Sequence, residues 1–257
     1  MTRKKYIIGN WKMNMTVPEA EKFFERLDKE VDNYDDVEVV IAPPNLAIYT
    51  LAQKIDTKKF KLAAQNINSE DKGTFTGEIS GSMLKGLVKY SLIGHSERRQ
   101  KFHEHDHDIA RKLAAALRNG ILPVLCVGED LMQKQNGDTN LVVHDQVANA
   151  LAMLTEEDVS QMIIAYEPIW AISSGDGKAP AADPDTVKAV VSVIRNTVKE
   201  LYGEKAEQNL RVLYGGSSNP DNITGYMNVE GVDGVLSGGA SMNYKQFASM
   251  IEKAHNI

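Results

Sequence analysis

Cysteine is nearly absent from this chain. Its single thiol, Cys126, cannot close an intrachain disulfide, and the apolar neighbours Leu125 and Val127 place it on a buried strand. Long apolar runs are missing too: none is long enough to span a bilayer. The basic start, Met1 to Lys5, reaches Gly9, Asn10 and Lys12 after only a few apolar positions, too few for the apolar core of a signal peptide. Nor is there an excess of positive charge. The 29 Lys and Arg are dispersed and outnumbered by 35 Asp and Glu, a formal net charge of −6. This argues against a nucleic-acid surface but leaves room for a local cationic pocket that holds a small phosphate. With 19 Gly and 8 Pro in 257 residues, neither disorder nor collagen-like repetition is indicated. The expected setting is a reducing cytoplasm, with no membrane and no nucleic acid as partner.

What is present is a regular alternation. Short apolar runs rich in β-branched residues fall at Tyr6 to Gly9, Val37 to Ala42, Phe60 to Ala64, Tyr90 to Gly94, Ile121 to Val127, Met162 to Tyr166, Leu210 to Tyr214 and Val232 to Leu236. Each reads as a parallel strand buried on both faces. Helical periodicity lies between them. In the first helix Ala20, Phe23, Phe24, Leu27 and Val31 share one face, Thr16 and Glu19 form a capping box, and Pro18 is tolerated in the first turn. Further helices are expected at Asp106 to Asn119, Leu141 to Leu154, Pro184 to Leu201 and Asn243 to Ala254. No linker or low-complexity tract interrupts the series, so residues 1–257 read as one α/β domain, a single (β/α)8 barrel. An open doubly wound sheet is the alternative; the Gly-x-Gly-x-x-Gly turn that would favour it does not follow the first strand.

In such a barrel the chemistry belongs at the C-terminal ends of the strands. Five segments sit there: Asn10-Trp11-Lys12-Met13-Asn14, His95-Ser96-Glu97-Arg98-Arg99, Glu167-Pro168-Ile169-Trp170, Tyr214-Gly215-Gly216-Ser217 and Ser237-Gly238-Gly239. Singly, each has an ordinary reading: a structural histidine, a surface lysine, a solvated loop carboxylate, glycine turns. Together they complete one reaction. A carboxylate removes a proton beside a carbonyl, a neutral imidazole polarises that carbonyl, and a fixed cation stabilises the enediolate and phosphate charge. Backbone N–H groups of the glycine turns after strands seven and eight can approach a phosphate.

Asn10 to Asn14, Gly94 to Arg99 and Ala165-Tyr166-Glu167-Pro168-Ile169-Trp170-Ala171 resemble, in order, the signature segments of the triosephosphate isomerases. The resemblance runs from the first strand to the last helix. It implies interconversion of D-glyceraldehyde 3-phosphate and dihydroxyacetone phosphate, in glycolysis and gluconeogenesis, by a homodimer without metal or organic cofactor. It also implies roles. Glu167 would shuttle the proton between carbons, His95 would serve the substrate oxygens, Lys12 would supply positive charge, Asn10 would orient an oxygen, and Glu97 would stand beside Lys12. Asn10, Trp11, Lys12, Ser173, Ser217, Gly238 and Gly239 would bind substrate and phosphate, the last four through backbone N–H groups.

Pro168, Ile169, Trp170, Ala171, Ile172, Ser173 and Ser174 resemble the family's lid, which keeps water from the enediolate. Where that family commonly has Ile-Gly-Thr-Gly, this chain reads Ile172-Ser173-Ser174-Gly175, followed by a longer stretch to Asp183; Ser218 likewise stands where Val is usual. The long loop from Gln65 to Glu78 resembles the one that enters a neighbouring subunit, which would bring Thr76 near the partner's Asn10 and Lys12. His103, His105 and His107 alternate at a helix start, where their side chains diverge, and read as a solvated turn. Met13, Met15, Trp11 and the Phe pair of the first helix read as packing. Two rival functions lack their marks: an aldolase or epimerase needs a Schiff-base lysine or inner metal ligands, and a non-catalytic binding protein on an isomerase scaffold would have lost its base or electrophile.

Overall fold

The computed structural model describes residues 3–172 and 180–257. Eight strands, β1 (Lys5–Asn10), β2 (Val37–Ala42), β3 (Phe60–Ala64), β4 (Tyr90–Ile93), β5 (Leu122–Val127), β6 (Ile163–Tyr166), β7 (Arg211–Tyr214) and β8 (Gly234–Ser237), pair in parallel in chain order. β8 returns to β1, where Gly9 lies opposite both Ile41 and Ser237, and the sheet closes. The (β/α)8 barrel expected from the alternation is the architecture observed. Closure leaves no free edge and covers both strand faces, which is why the strands are near-continuously apolar.

The side-chain period of two separates two cores. Ile8, Val40, Ala63, Leu92, Val124, Cys126, Ala165, Leu213 and Leu236 fill the barrel interior. Their neighbours Ile7, Val39, Leu62, Leu125, Ile164, Val212 and Val235 pack outward against the helices. In the helix Val17–Glu30 the buried residues are Ala20, Phe23, Phe24 and Leu27, and Phe24 meets Phe60 of β3 edge-on at 5.6 Å between ring centres. The Glu19 carboxylate caps that helix, accepting from the Thr16 N–H at 2.7 Å and the Thr16 hydroxyl at 2.8 Å.

The other long helices, Asp106–Arg118, Thr139–Leu151, Pro184–Tyr202 and Tyr244–His255, start and stop within three residues of their expected limits. Strand β8 begins two residues later than expected. Asp233 holds Arg3 at 2.6 Å and Arg195 at 2.9 Å with its carboxylate, while its backbone bonds both neighbouring strands, the N–H to the Val212 carbonyl at 2.7 Å and the carbonyl from the Tyr6 N–H at 2.9 Å. Short helices at Asn45–Ala52, Ser96–Lys101 and Leu131–Asn136 carry too few turns to show a period in the sequence.

At the N-terminal mouth the inward position of β2 is a carboxylate. Glu38, 5% exposed, pairs with Lys4 at 2.8 Å and Lys89 at 2.5 Å and accepts from the Tyr90 hydroxyl at 2.8 Å. Burial pushes its pKa up, but the two ammonium groups and the phenol outweigh that and hold it at about 2, against an ordinary 4.5. A depressed native pKa contributes stability that is present above pH 4.5 and is lost as pH falls from there towards about 2. The contribution is roughly 3 kcal/mol at neutral pH. Calorimetric melting should therefore show a steeper loss of Tm across that window in the wild type than in Glu38→Gln; parallel curves would mean that the network adds no net stability.

Candidate active site

The period that fills the barrel also selects what reaches its C-terminal rim. One step beyond the interior residue of each strand, on the same face, come Asn10 after Ile8, Gln65 after Ala63, Glu167 after Ala165, Gly215 after Leu213 and Gly238 after Leu236. His95 arrives differently. Gly94 turns the chain at φ 75°, and His95 becomes the N-cap of the helix Ser96–Lys101.

These two routes bring carboxylate and imidazole together. His95 Nε2 lies 3.2 Å from Glu167 Oε1, with the residues 6% and 2% exposed. The other carboxylate oxygen accepts from the Ser96 N–H at 3.1 Å. His95 Nδ1 accepts from the Glu97 N–H at 3.2 Å. A ring nitrogen that accepts carries no proton, so this pattern assigns a neutral imidazole with its hydrogen on Nε2, facing the carboxylate.

Two glycines make room for Glu167. A Cβ at Gly128 would lie 1.9 Å from the Glu167 carbonyl oxygen, and one at Gly215 would lie 2.7 Å from its Cγ. Close approach, not unusual φ, is what requires glycine at both places. The Glu167 N–H donates to the Val127 carbonyl at 2.7 Å, anchoring the residue to β5.

Lys12 adopts φ 53°, the left-handed region that costs a side-chain-bearing residue roughly 1–2 kcal/mol. Its neighbours hold it there. Asn10 Oδ1 accepts from the Lys12 N–H at 3.0 Å, while Gln65 Nε2 donates to the carbonyls of Lys12 at 2.7 Å and Ala42 at 2.9 Å. The ammonium pairs with Glu97 Oε1 at 2.9 Å. Burial raises the Glu97 pKa, but the Lys12 charge overcompensates and holds it below the ordinary carboxylate range. The Lys12 stem passes 3.9 Å from where a Cβ of Gly238 would be, so the cation stands beside the β8 turn. A cleft of about 300 Å³ opens here, lined by Asn10, Lys12, Gln65, His95 and Glu97 among others.

At the expected phosphate end, the N–H groups of Gly238 and Gly239 donate to none of the described residues. The Ser217 N–H does not stand free: it donates to the Ala171 carbonyl at 3.0 Å. Trp11 is set into the packing, fully buried, with its indole N–H donated to the Ser241 carbonyl at 3.0 Å and its ring against Phe23. Its backbone is committed as well, the N–H donating to the Ala42 carbonyl at 3.1 Å and the carbonyl accepting from the Asn14 side-chain amide at 2.8 Å. Thr76 is exposed on its loop and is not part of the cleft wall.

Of the lid residues, Pro168 to Ile172 are described, with a 3-10 turn at Ile169–Ala171; Ser173 and Ser174 lie outside the described residues. Their anchor is a residue that the sequence did not single out. Glu129, fully buried after β5, accepts from the Trp170 indole at 2.7 Å and from the Tyr166 hydroxyl at 3.2 Å, and its carbonyl accepts from the Ile169 N–H at 3.0 Å. The Lys134 ammonium sits 3.1 Å above the Trp170 ring centre. The one signal that could have found Glu129 is its place directly after Gly128 at the end of a strand. On the far side of the lid, the Ala182 N–H donates to the Tyr214 hydroxyl at 3.2 Å. Among the described residues, no three His, Cys, Asp or Glu side chains converge as a metal site.

The comparisons agree with this geometry over nearly the whole chain. A family model described as triosephosphate isomerase matches residues 5–254. A Clostridium tetani protein of that name is 43% identical over 250 residues, which are 97% of this chain and 96% of the relative. One from Caldanaerobacter subterraneus subsp. tengcongensis, with the same name, is 44% identical over 250 residues, 97% and 99% of the two chains.

Nitrogen NMR near neutral pH should show the His95 ring with an unprotonated Nδ1 and a protonated Nε2. A proton on Nδ1 would contradict the assignment made from the Glu97 N–H.

Proposed function

Because the chain belongs to the triosephosphate isomerase family, we infer that the Glu167–His95 pair carries out that family's aldose–ketose interconversion. The single observation that carries the inference is a buried carboxylate 3.2 Å from a neutral imidazole, with an ammonium at the same rim. Substrate replaces the direct contact between the pair. Glu167 then takes the proton from the carbon beside the carbonyl, and His95 Nε2–H donates to the carbonyl oxygen. Lys12 stabilises the developing enediolate and Asn10 orients an oxygen; Glu97 holds Lys12 in place. Returning the proton to the adjacent carbon gives the isomer. The two trioses have the same composition and oxidation level, so proton movement alone balances the reaction.

Ser217, Gly238 and Gly239 form the phosphate end in this reading, with Trp11 supporting the adjoining Lys12 from the core and the segment Pro168 to Ser174 covering the substrate. Committing the Ser217 N–H to Ala171 leaves that residue's hydroxyl for the anion.

A homodimer fits the exposed apolar residues. Met13, Leu46, Tyr49, Phe75 and Phe102 all follow strands β1 to β4, which are neighbours in the barrel, so their exposure falls in one sector of the rim; Met13, expected from the sequence to pack in the core, is instead 97% exposed. A second copy covering that sector would bring Thr76 near its Asn10 and Lys12. A cytoplasmic setting within glycolysis and gluconeogenesis matches the single buried thiol, and no helix among the described residues is long and apolar enough to cross a membrane.

In a coupled assay after EDTA treatment, the wild type should turn over D-glyceraldehyde 3-phosphate, and Glu167→Gln should lower kcat by roughly 10²–10⁴-fold. Absence of turnover in folded wild type would overturn the reading. Gly215→Ala, which displaces the Glu167 side chain, should lower kcat by about 10²-fold with the protein still folded. Sedimentation should give twice the chain mass; a monomer at micromolar concentration would rule out the dimer.

A further inference from the structure

One polar side chain on an apolar helix face reaches the strand end beside Glu167. In the helix Thr139–Leu151 the buried face is made of Val143, Val147 and Ala150, and the half-buried Gln146 falls on the same side. Its amide closes two bonds on one residue. Gln146 Oε1 accepts from the Gly128 N–H at 2.8 Å, and Nε2 donates to the Gly128 carbonyl at 3.2 Å. A backbone N–H only donates and a carbonyl only accepts, so the pairing also fixes which end of the amide is which.

Gly128 needs such a partner. The carbonyls on either side of it, Val127 and Glu129, accept from the Glu167 and Ile169 N–H groups at 2.7 and 3.0 Å. Strand alternation turns the N–H and carbonyl of Gly128 away from those contacts, and among the described residues no backbone group takes them up. The Gln146 amide stands where a neighbouring strand would. Gly128 in turn bears directly on Glu167: a Cβ there would lie 1.9 Å from the Glu167 carbonyl oxygen and 2.5 Å from its carbonyl carbon, so the two backbones touch with no room for a side chain between them. The next residue, Glu129, accepts from the Trp170 indole at 2.7 Å.

We propose that Gln146 is a positioning residue for the isomerase reaction: it holds the Gly128 backbone, and Gly128 sets where Glu167 and its carboxylate stand. It acts through Gly128, not on the substrate. The proposal rests on the reading of Glu167 as the base. A displaced base loses rate without losing affinity for phosphate, and that split separates positioning from general support of the fold.

The test compares full-length wild type with Gln146→Met, which keeps the side-chain length and removes the amide, and Gln146→Asn, which keeps the amide and withdraws it by a methylene. Glu38→Gln, at the opposite mouth, is the control for lost stability. Measured are Tm, kcat and KM with D-glyceraldehyde 3-phosphate, and the Ki of inorganic phosphate as competitor. Gln146→Met should lower kcat by roughly 10- to 100-fold and leave KM and Ki within about twofold. Gln146→Asn should show the same split at roughly three- to tenfold, and it carries the comparison if Gln146→Met does not fold. Glu38→Gln should lower Tm and leave kcat unchanged. If the folded Gln146 variants turn over as fast as wild type, or if their loss lies in KM and Ki, Gln146 supports the fold alone and the proposal is overturned. An equal loss of kcat in Glu38→Gln overturns it too, because stability alone would then move the rate. Failure of the base reading shows separately: undiminished kcat in Glu167→Gln removes that reading, and this proposal with it, whatever the Gln146 variants do.

Discussion

Closing eight parallel strands into a barrel leaves inward side chains only a stack of layers to occupy, and the last layer at the C-terminal rim is where strand geometry meets solvent. Everything at the site depends on that constraint. Ile8, Ala165 and Leu236 are interior packing, and the residues two steps on, Asn10, Glu167 and Gly238, are the rim chemistry by the same alternation. A slip of one residue in β6 would send Glu167 outward to the helices and bring Tyr166 or Pro168 inward. The apolar strands are thus part of the active site's positioning, with the Glu167 N–H bonded to Val127 as the local fastening.

At the opposite mouth the same parity produces a different solution. The inward position of β2 before Val40 is Glu38, which lies too deep to be left unpaired. Lys4, Lys89 and Tyr90 converge on it from the chain start and β4, which lie on different sides of the barrel wall. One end of the barrel therefore neutralises a buried carboxylate permanently. At the other, the partners of the buried Glu167 carboxylate among the described residues are the His95 imidazole, the Ser96 N–H and the Cys126 thiol, a lighter pairing than two ammonium groups.

How far this was readable in advance follows from what each feature depends on. Strands buried on both faces announce themselves as apolar runs, and the Thr16–Glu19 cap is a local pattern, so both were legible. So were His95, Glu167 and Lys12, because strand ends and signature segments coincide there. Glu129 was not, since its role exists only where β5 and β6 lie side by side and Trp170 folds back over it. Ser217 shows a subtler failure: its position in the glycine turn is legible, but the commitment of its N–H to Ala171 arises from a contact between two loops. Trp11 could be read both as packing and as part of the substrate set. The structure puts its ring in the core and leaves the peptide at the rim.

The rim also concentrates local features that do nothing for stability alone. Lys12 sits at positive φ, and Gly128 and Gly215 give up side-chain packing to let Glu167 in. In the helix-facing core such features would be replaced at little cost by alanine or valine. In the function proposed above, Lys12 and the room made for Glu167 serve a guest: an ammonium where charge develops and a carboxylate where a carbon-bound proton arrives. Strain and close approach that gather at one rim of an otherwise well-packed barrel are what that proposed function requires of the place where the substrate binds.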